Sequence, residues 1–253
     1  MQLLLGLVFV SQVAVLDDYG HEVSLPRPAQ RIVALSPHLT ELLFAAGAGA
    51  KVVGVVDYSD YPPAARQLPR VGSDAGIDLE AVLALRPDLI VAWPNAGTVR
   101  AIDRLAELGI PTFRSEPREL EDIARTIEKL GRLAGTSSDA AETFRKGVAD
   151  LTRRYSGRPR VRVFYQVWDR PLLTVNGDHV ISKVMRLCGG ENVFAGLPAI
   201  APEIDREALL RAKPEVVITG KDIPGDLIQR HTPRLLEGAQ RMCDILEAAR
   251  RTR

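Results

Sequence analysis

Cysteine is scarce in this sequence: Cys188 and Cys243 are the only two among 253 residues. Neither sits in a CxxC or a Cys/His cluster, which removes the ligand spacing that zinc and dithiol chemistry require, so no metal site is expected. An excess of one charge is missing too. The 33 basic and 32 acidic side chains leave a formal charge of +1, which creates no field to draw in DNA or an anionic membrane, and nucleic acid is not an expected partner. No apolar run approaches the roughly 18 residues of a membrane helix. A GxSxG elbow, a Walker loop and an HExxH pair are all absent, and the chain is read as a protein that is not an enzyme. Gly47 and Gly49 do not make a dinucleotide loop, because they follow a helical pattern and precede the strand-like VVGVV; they are a helix stop. Only two tryptophans are available to build a binding surface, Trp93 and Trp168.

What is present is an ordinary globular composition, 46% hydrophobic and 26% charged, in a chain long enough for one large domain or two lobes of roughly 100 residues each. The organising element is LEDIARTIEKLGRLA at residues 120–134, whose Leu120, Ile123, Ala124, Ile127, Leu130 and Ala134 recur at helical spacing. Glu119, Glu121 and Asp122 occupy the first turn, where the helix dipole favours anions, and Gly135 ends it. Similar text flanks this helix. DLEAVLALRPDLIV at residues 78–91 and DREALLRAKPEVVI at residues 205–218 align without a gap, sharing Asp78/Asp205, Glu80/Glu207, Ala81/Ala208, Leu83/Leu210 and Pro87/Pro214. Each copy reads as a short helix, a proline stop and a buried strand, which points to two related lobes bridged by one helix.

Residues 3–10, LLLGLVFV, resemble the core of a secretory signal, with residues 1–14 as the signal segment and Ala14 as the cleavage point; no Lys or Arg precedes the run, so a native first strand is the other reading. Residues 13–28 read as a hairpin around a turn at residues 18–20. A strand then leads to Ser36, Pro37 and His38 at the start of a helix, which places these three at the open sheet edge where ligands of α/β lobes bind. The loop DYSDYPP sets Tyr58 on a proline-stiffened turn after a strand, suited to the face of a flat ligand. Trp93 stands where another strand meets its loop. In the second half, Val161 opens a strand in which Phe164 packs inside, while Tyr165 and Trp168 are expected to reach the ligand. The two cysteines either pair, as cysteines of an exported protein commonly do, or stay as buried thiols. Glu80 and Glu207 lie near helix starts, where a carboxylate often just caps.

Taken together, RIVALSPHLTELLFAAGAGAKVVGV, DYSDYPP, GIDLEAVLALRPDLIVAW, CGGENVF and REALLRAKPEVVITG resemble the class III periplasmic substrate-binding proteins, and most closely the cobalamin-binding (BtuF-like) proteins that serve vitamin-uptake ABC transporters. The resemblance covers nearly the whole chain after the leader. It implies an α/β fold of two Rossmann-like lobes, residues 15–117 and 136–253, bridged by a single long helix at residues 118–135, with the ligand clamped between them. By the same resemblance Tyr58 matches a ligand-contacting tyrosine, and Asp226, Leu227, Ile228, Gln229 and Arg230 match a loop that touches the corrinoid. Glu80 and Glu207 match acids that engage arginines of a dimeric inner-membrane permease, and Cys188 and Cys243 match a disulfide pair. The implied molecule is a periplasmic monomer that carries cobalamin or another corrinoid as cargo and holds no cofactor. Two departures stand out. Asp74 and Ala201 replace tryptophans common in cobalamin binders, and residues 221–225 run almost directly into DLIQRHTPR where the family has a further helix and strand, so the second lobe is expected to be short. A ferric siderophore or haem is the alternative cargo; scattered histidines and the lack of a basic cluster disfavour an anionic siderophore.

Overall fold

A computed structural model describes residues 12–252, which form two compact units. The first unit comprises residues up to Glu116 together with Thr126–Ser138. It begins with the hairpin β1 (Val13–Leu16) and β2 (Glu22–Leu25), in which Ala14 pairs with Ser24. Ala14, the expected cleavage point, thus lies within β1, and the apolar run before it lies outside the described residues. There follow β3 (Ile32–Ala34), α1 (Pro37–Ala45), β4 (Val52–Val55), the small antiparallel pair β5 (Gly72–Ser73) and β6 (Gly76–Ile77), α2 (Leu79–Ala84), β7 (Leu89–Ala92), α3 (Val99–Glu107) and β8 (Thr112–Arg114). The parallel sheet has the order β4-β3-β7-β8. Its central strands read as unbroken apolar runs because both faces are covered: Val33 and Ile90 pack with Val82 of α2 and with Ile102 and Leu105 of α3.

The helix α4 (Leu120–Ala134) belongs to both units, its first residues to the second and Thr126 onward to the first. Asp122 starts it, accepting hydrogen bonds from the backbone N–H groups of Arg118 at 2.9 Å and Glu119 at 2.7 Å. Burial opposes the charge on Asp122, but these two N–H groups and the Arg125 guanidinium prevail and hold its carboxyl below the ordinary range.

The second unit continues with α5 (Ala140–Tyr155), β9 (Val161–Tyr165), α6 (Val180–Leu187), β10 (Gly190–Asn192), α7 (Arg206–Ala212), β11 (Val216–Ile218), the short α8 (Gly225–Ile228) and α9 (Leu235–Arg251). Its parallel sheet is β10-β9-β11. After β9 the chain makes isolated bridges, Trp168 with Leu173 and Leu173 with Glu203. The disulfide Cys188–Cys243, with a Cα–Cα distance of 4.8 Å, ties the end of α6 to α9. Closing a loop of that length stabilises by about 4 kcal/mol in the chain-entropy model.

The repeat seen in the sequence is a repeat of bonding. Asp78 caps α2 by accepting from the N–H of Ala81 at 2.9 Å, and Asp205 caps α7 by accepting from Ala208 at 2.6 Å. Arg86 and Lys213, the residues before the two prolines, both adopt φ 46°, the left-handed turn that ends a helix where a following proline disfavours the α region. Asp88 then accepts from the N–H of Arg31 at 2.8 Å, and Glu215 from the N–H of Arg162 at 2.7 Å. The guanidinium of Arg31 donates to the carbonyl of Leu85, the last turn of its helix, and that of Arg162 does the same to Ala212. One arginine in each unit thus ties the entry of the first strand to the end of the repeat helix.

Candidate functional site

In the first unit the candidate residues gather at the C-terminal ends of β3, β4 and β7. Ser36 occupies the N-cap position of α1 but makes no capping bond; its Oγ lies 2.6 Å from Nδ1 of His38 instead. The His38 ring meets Trp93 edge-on, centroids 5.8 Å apart at 76°, the arrangement in which an aromatic edge faces a π-cloud. Trp93 is held from behind by Thr98, whose hydroxyl donates to the Trp93 carbonyl at 3.2 Å. A Cβ on Gly97 in this loop would fall 2.3 Å from the carbonyl oxygen of Asp74, so only glycine permits that approach.

Tyr58 has φ 62°, a left-handed backbone that costs a bulky L-residue about 1 kcal/mol and is found preferentially at functional positions. Its neighbours enforce it. Asp57 N–H donates to Gly72 at 2.8 Å, the Arg70 guanidinium donates to the carbonyls of Val56 and Ser59, and Thr40 donates to the buried Ser59 hydroxyl at 3.1 Å. The Thr40–Ser59 link spans separate segments and has no signature in the sequence. The outcome is a tyrosine residue 75% exposed on a fastened loop, with Trp93 at 42%.

In the second unit Trp168 is 62% exposed, on a tight turn closed by Val167 N–H to Leu173 at 2.9 Å and Leu173 N–H to Trp168 at 3.0 Å. The indole N–H already donates to the carbonyl of Arg170 at 3.0 Å. Trp168 therefore offers a ring face and no free donor, which suits stacking on a flat or apolar surface. Tyr165, Leu227 and Ile228 differ from the expectation that they reach a ligand: all three are buried. Phe164 and Tyr165 point to opposite faces of β9, the central strand, and both faces are covered. Burial pushes the Tyr165 phenol up, the Asp222 charge adding to the rise and the nearby Gln229 side chain opposing it. Of residues 226–230, Gln229 is exposed while Asp226 and Arg230 are half-buried, and Asp226 pairs with Arg234 at 2.6 Å.

His231, which follows that loop in the chain, comes near His179 and Lys183, a grouping that composition did not reveal. His179 caps α6, its Nδ1 accepting from the N–H of Ile181 at 3.2 Å. Burial lowers its pKa to about 4. Burial likewise lowers His231 to about 4, with His179 and Lys183 adding to the fall and Asp122 opposing it. Lys183 is itself ion-paired with Glu119 before α4. Among the described residues no His, Cys, Asp and Glu side chains gather in a metal-holding group, and no helix is long and apolar enough to cross a membrane. Glu80 and Glu207 are exposed on α2 and α7, and the caps of both helices are made by the aspartates instead.

Two α/β units joined through one shared helix, each with an exposed aromatic beside the C-terminal end of its sheet, define a class. The chain belongs to the periplasmic binding protein family, whose profile matches residues 32–241. It is 35% identical over 254 residues, 89% of this chain and 92% of the relative, to a vitamin B12-binding protein of Vibrio parahaemolyticus. Among solved structures it is similar to the periplasmic vitamin B12 binding protein BtuF of Vibrio cholerae, with 34% identity, a TM-score of 0.80, and coverage of 88% of this chain and 98% of the other. A periplasmic haem-binding protein from Pseudomonas aeruginosa shares 25% identity with a TM-score of 0.67, over 87% of this chain and 91% of that one.

Proposed function

We propose that this protein captures cobalamin or a related corrinoid in the periplasm and delivers it to the permease of an ABC transporter, without catalysing a reaction. The likeness to vitamin B12-binding proteins along nearly the whole chain carries this reading. The chemistry of the exposed side chains supports it. A corrinoid presents a broad, mostly apolar ring system fringed by amides, and Tyr58, Trp93 and Trp168 supply ring faces to cover it. Asp226, Gln229 and Arg230 supply polar atoms for the fringe. Tyr165, Leu227 and Ile228 act from below, as packing that fixes the loop above them.

Calorimetric titration with cyanocobalamin, haem and a ferric siderophore tests the cargo. Saturable binding of cyanocobalamin with weaker binding of the other two is expected; preference for haem would replace the corrinoid reading with the haem one. Trp168→Ala should weaken corrinoid binding by about 1–3 kcal/mol, as loss of an aromatic anchor does. In delivery, Glu80 and Glu207 are the docking acids. Because Asp78 and Asp205 make the caps, the double variant Glu80→Ala with Glu207→Ala should lose permease association while keeping ligand affinity and melting temperature.

A further inference from the structure

The two repeat helices share five identical residues before the strand, and the structure accounts for three of them. Asp78 and Asp205 cap, Ala81 and Ala208 present the capped N–H, and Pro87 and Pro214 follow the left-handed stop. The other two shared positions are neither caps nor buried core in either unit. Glu80 is exposed, and Glu207 makes only a solvent-exposed pair with Arg211 at 3.4 Å, an arrangement worth little to stability. Leu83 is 40% exposed and Leu210 75%.

Missing cover does not explain these leucines. In the first unit α2 and α3 cover the sheet and Leu83 is still exposed, while the neighbouring Val82 faces the core. Leu209, the counterpart of Val82, is half-buried, so in both helices the core-facing position is the residue before the exposed leucine. Glutamate and leucine lie three apart, on one face of each helix. A single exposed leucine needs no explanation. The same leucine beside the same acid is exposed in two units whose core-facing residues differ, a coincidence that folding of the chain alone does not require.

We infer that Glu80 with Leu83, and Glu207 with Leu210, form two matching docking pairs, and that the permease meets each with a cationic side chain beside an apolar pocket that takes up the leucine. This rests on the docking role proposed for the two acids and adds its apolar half. The acids steer and orient, so their contribution falls with salt, whereas burial of leucine does not depend on ionic strength in that way. A carboxylate desolvated next to a leucine also gains more from its cation than one left in water.

The test is docking of the full-length protein to a vitamin B12 ABC permease complex in lipid nanodiscs, measured at low and high salt. Leu83→Ser with Leu210→Ser should weaken docking at least about tenfold at both salts, with corrinoid affinity and melting temperature unchanged, and Leu83→Met with Leu210→Met should restore it. Glu80→Gln with Glu207→Gln should weaken docking chiefly at low salt. Wild-type docking by the serine variant, beside loss in the glutamine variant, would overturn the leucine inference and leave the acid reading standing. Wild-type docking by the glutamine variant would overturn the reading of the acids itself. A fall in melting temperature that accounts for the lost docking of the serine variant, without rescue by methionine, would assign the leucines to stability and overturn the inference as well.

Discussion

The two units are built on one frame and finished differently. In the first, β7 is flanked by β3 and β8 and covered by α2 and α3, so Ile90 has no exposed surface. In the second, β11 pairs only with β9, and Val217, the counterpart of Ile90, is 49% exposed. The cause is chain length: after β11 only six residues precede α8, where the first unit spends α3 and β8. The clamp formed by an arginine, an acid and a helix end is nonetheless present in both. The frame of such a unit is therefore local to the first strand, the repeat helix and the second strand, while the cover is separable from it. The second unit carries instead the covalent tie between α6 and α9, with the terminal helix packed against α5, α6, α8 and β9.

Acid should separate the two units most strongly. His179 and His231, both in the second unit, are depressed from 6.5 to about 4. The unfolded chain binds protons that the folded one refuses, so their contribution is intact above about pH 6.5 and is lost as pH falls toward 4, by about 3 kcal/mol for each site. Hydrogen exchange across that window should show amides of the second unit losing protection before those of the first. The double variant His179→Asn, which keeps a capping side chain, with His231→Asn should flatten the dependence. An unchanged acid profile in that variant would assign the loss to other groups.

Next comes the disulfide. Cys188→Ser with Cys243→Ser should cost about 4 kcal/mol, read by chemical denaturation, and should lower protection in the second unit while the first keeps its own. Core truncation follows. Ile90→Ala should cost about 2–4 kcal/mol and Val217→Ala less than about 1, because only the first leaves a cavity; equal costs would mean that the uncovered strand is buried in solution. The smallest effect is the one in which the units should agree: Asp78→Ala and Asp205→Ala should each cost about 1 kcal/mol by loss of an N-cap. A large difference between those two would show that the shared frame is not energetically equivalent.

Much of this was written locally in the chain. The duplicated helix-proline-strand text, the apolar stripe of α4 and the aspartates before α2 and α7 all act through neighbours a few residues away, so spacing alone specifies them. The positions of Tyr58, Trp93 and Trp168 at strand ends were legible for the same reason. Burial was not. Tyr165 and Trp168 stand three residues apart in a similar aromatic setting, yet one is in the core and the other is exposed, because β9 is the middle strand and the turn after it is closed by Leu173. The pairing of Asp88 with Arg31 across 57 residues and the meeting of His231 with His179 are likewise invisible to a pattern read along the chain. Spacing along the chain specifies where α4 and the two repeat helices start and stop and that the plan occurs twice, whereas the folded arrangement sets which side chains keep contact with water. Capping and periodicity are set by covalent neighbours, whereas exposure depends on whatever the rest of the chain lays on top.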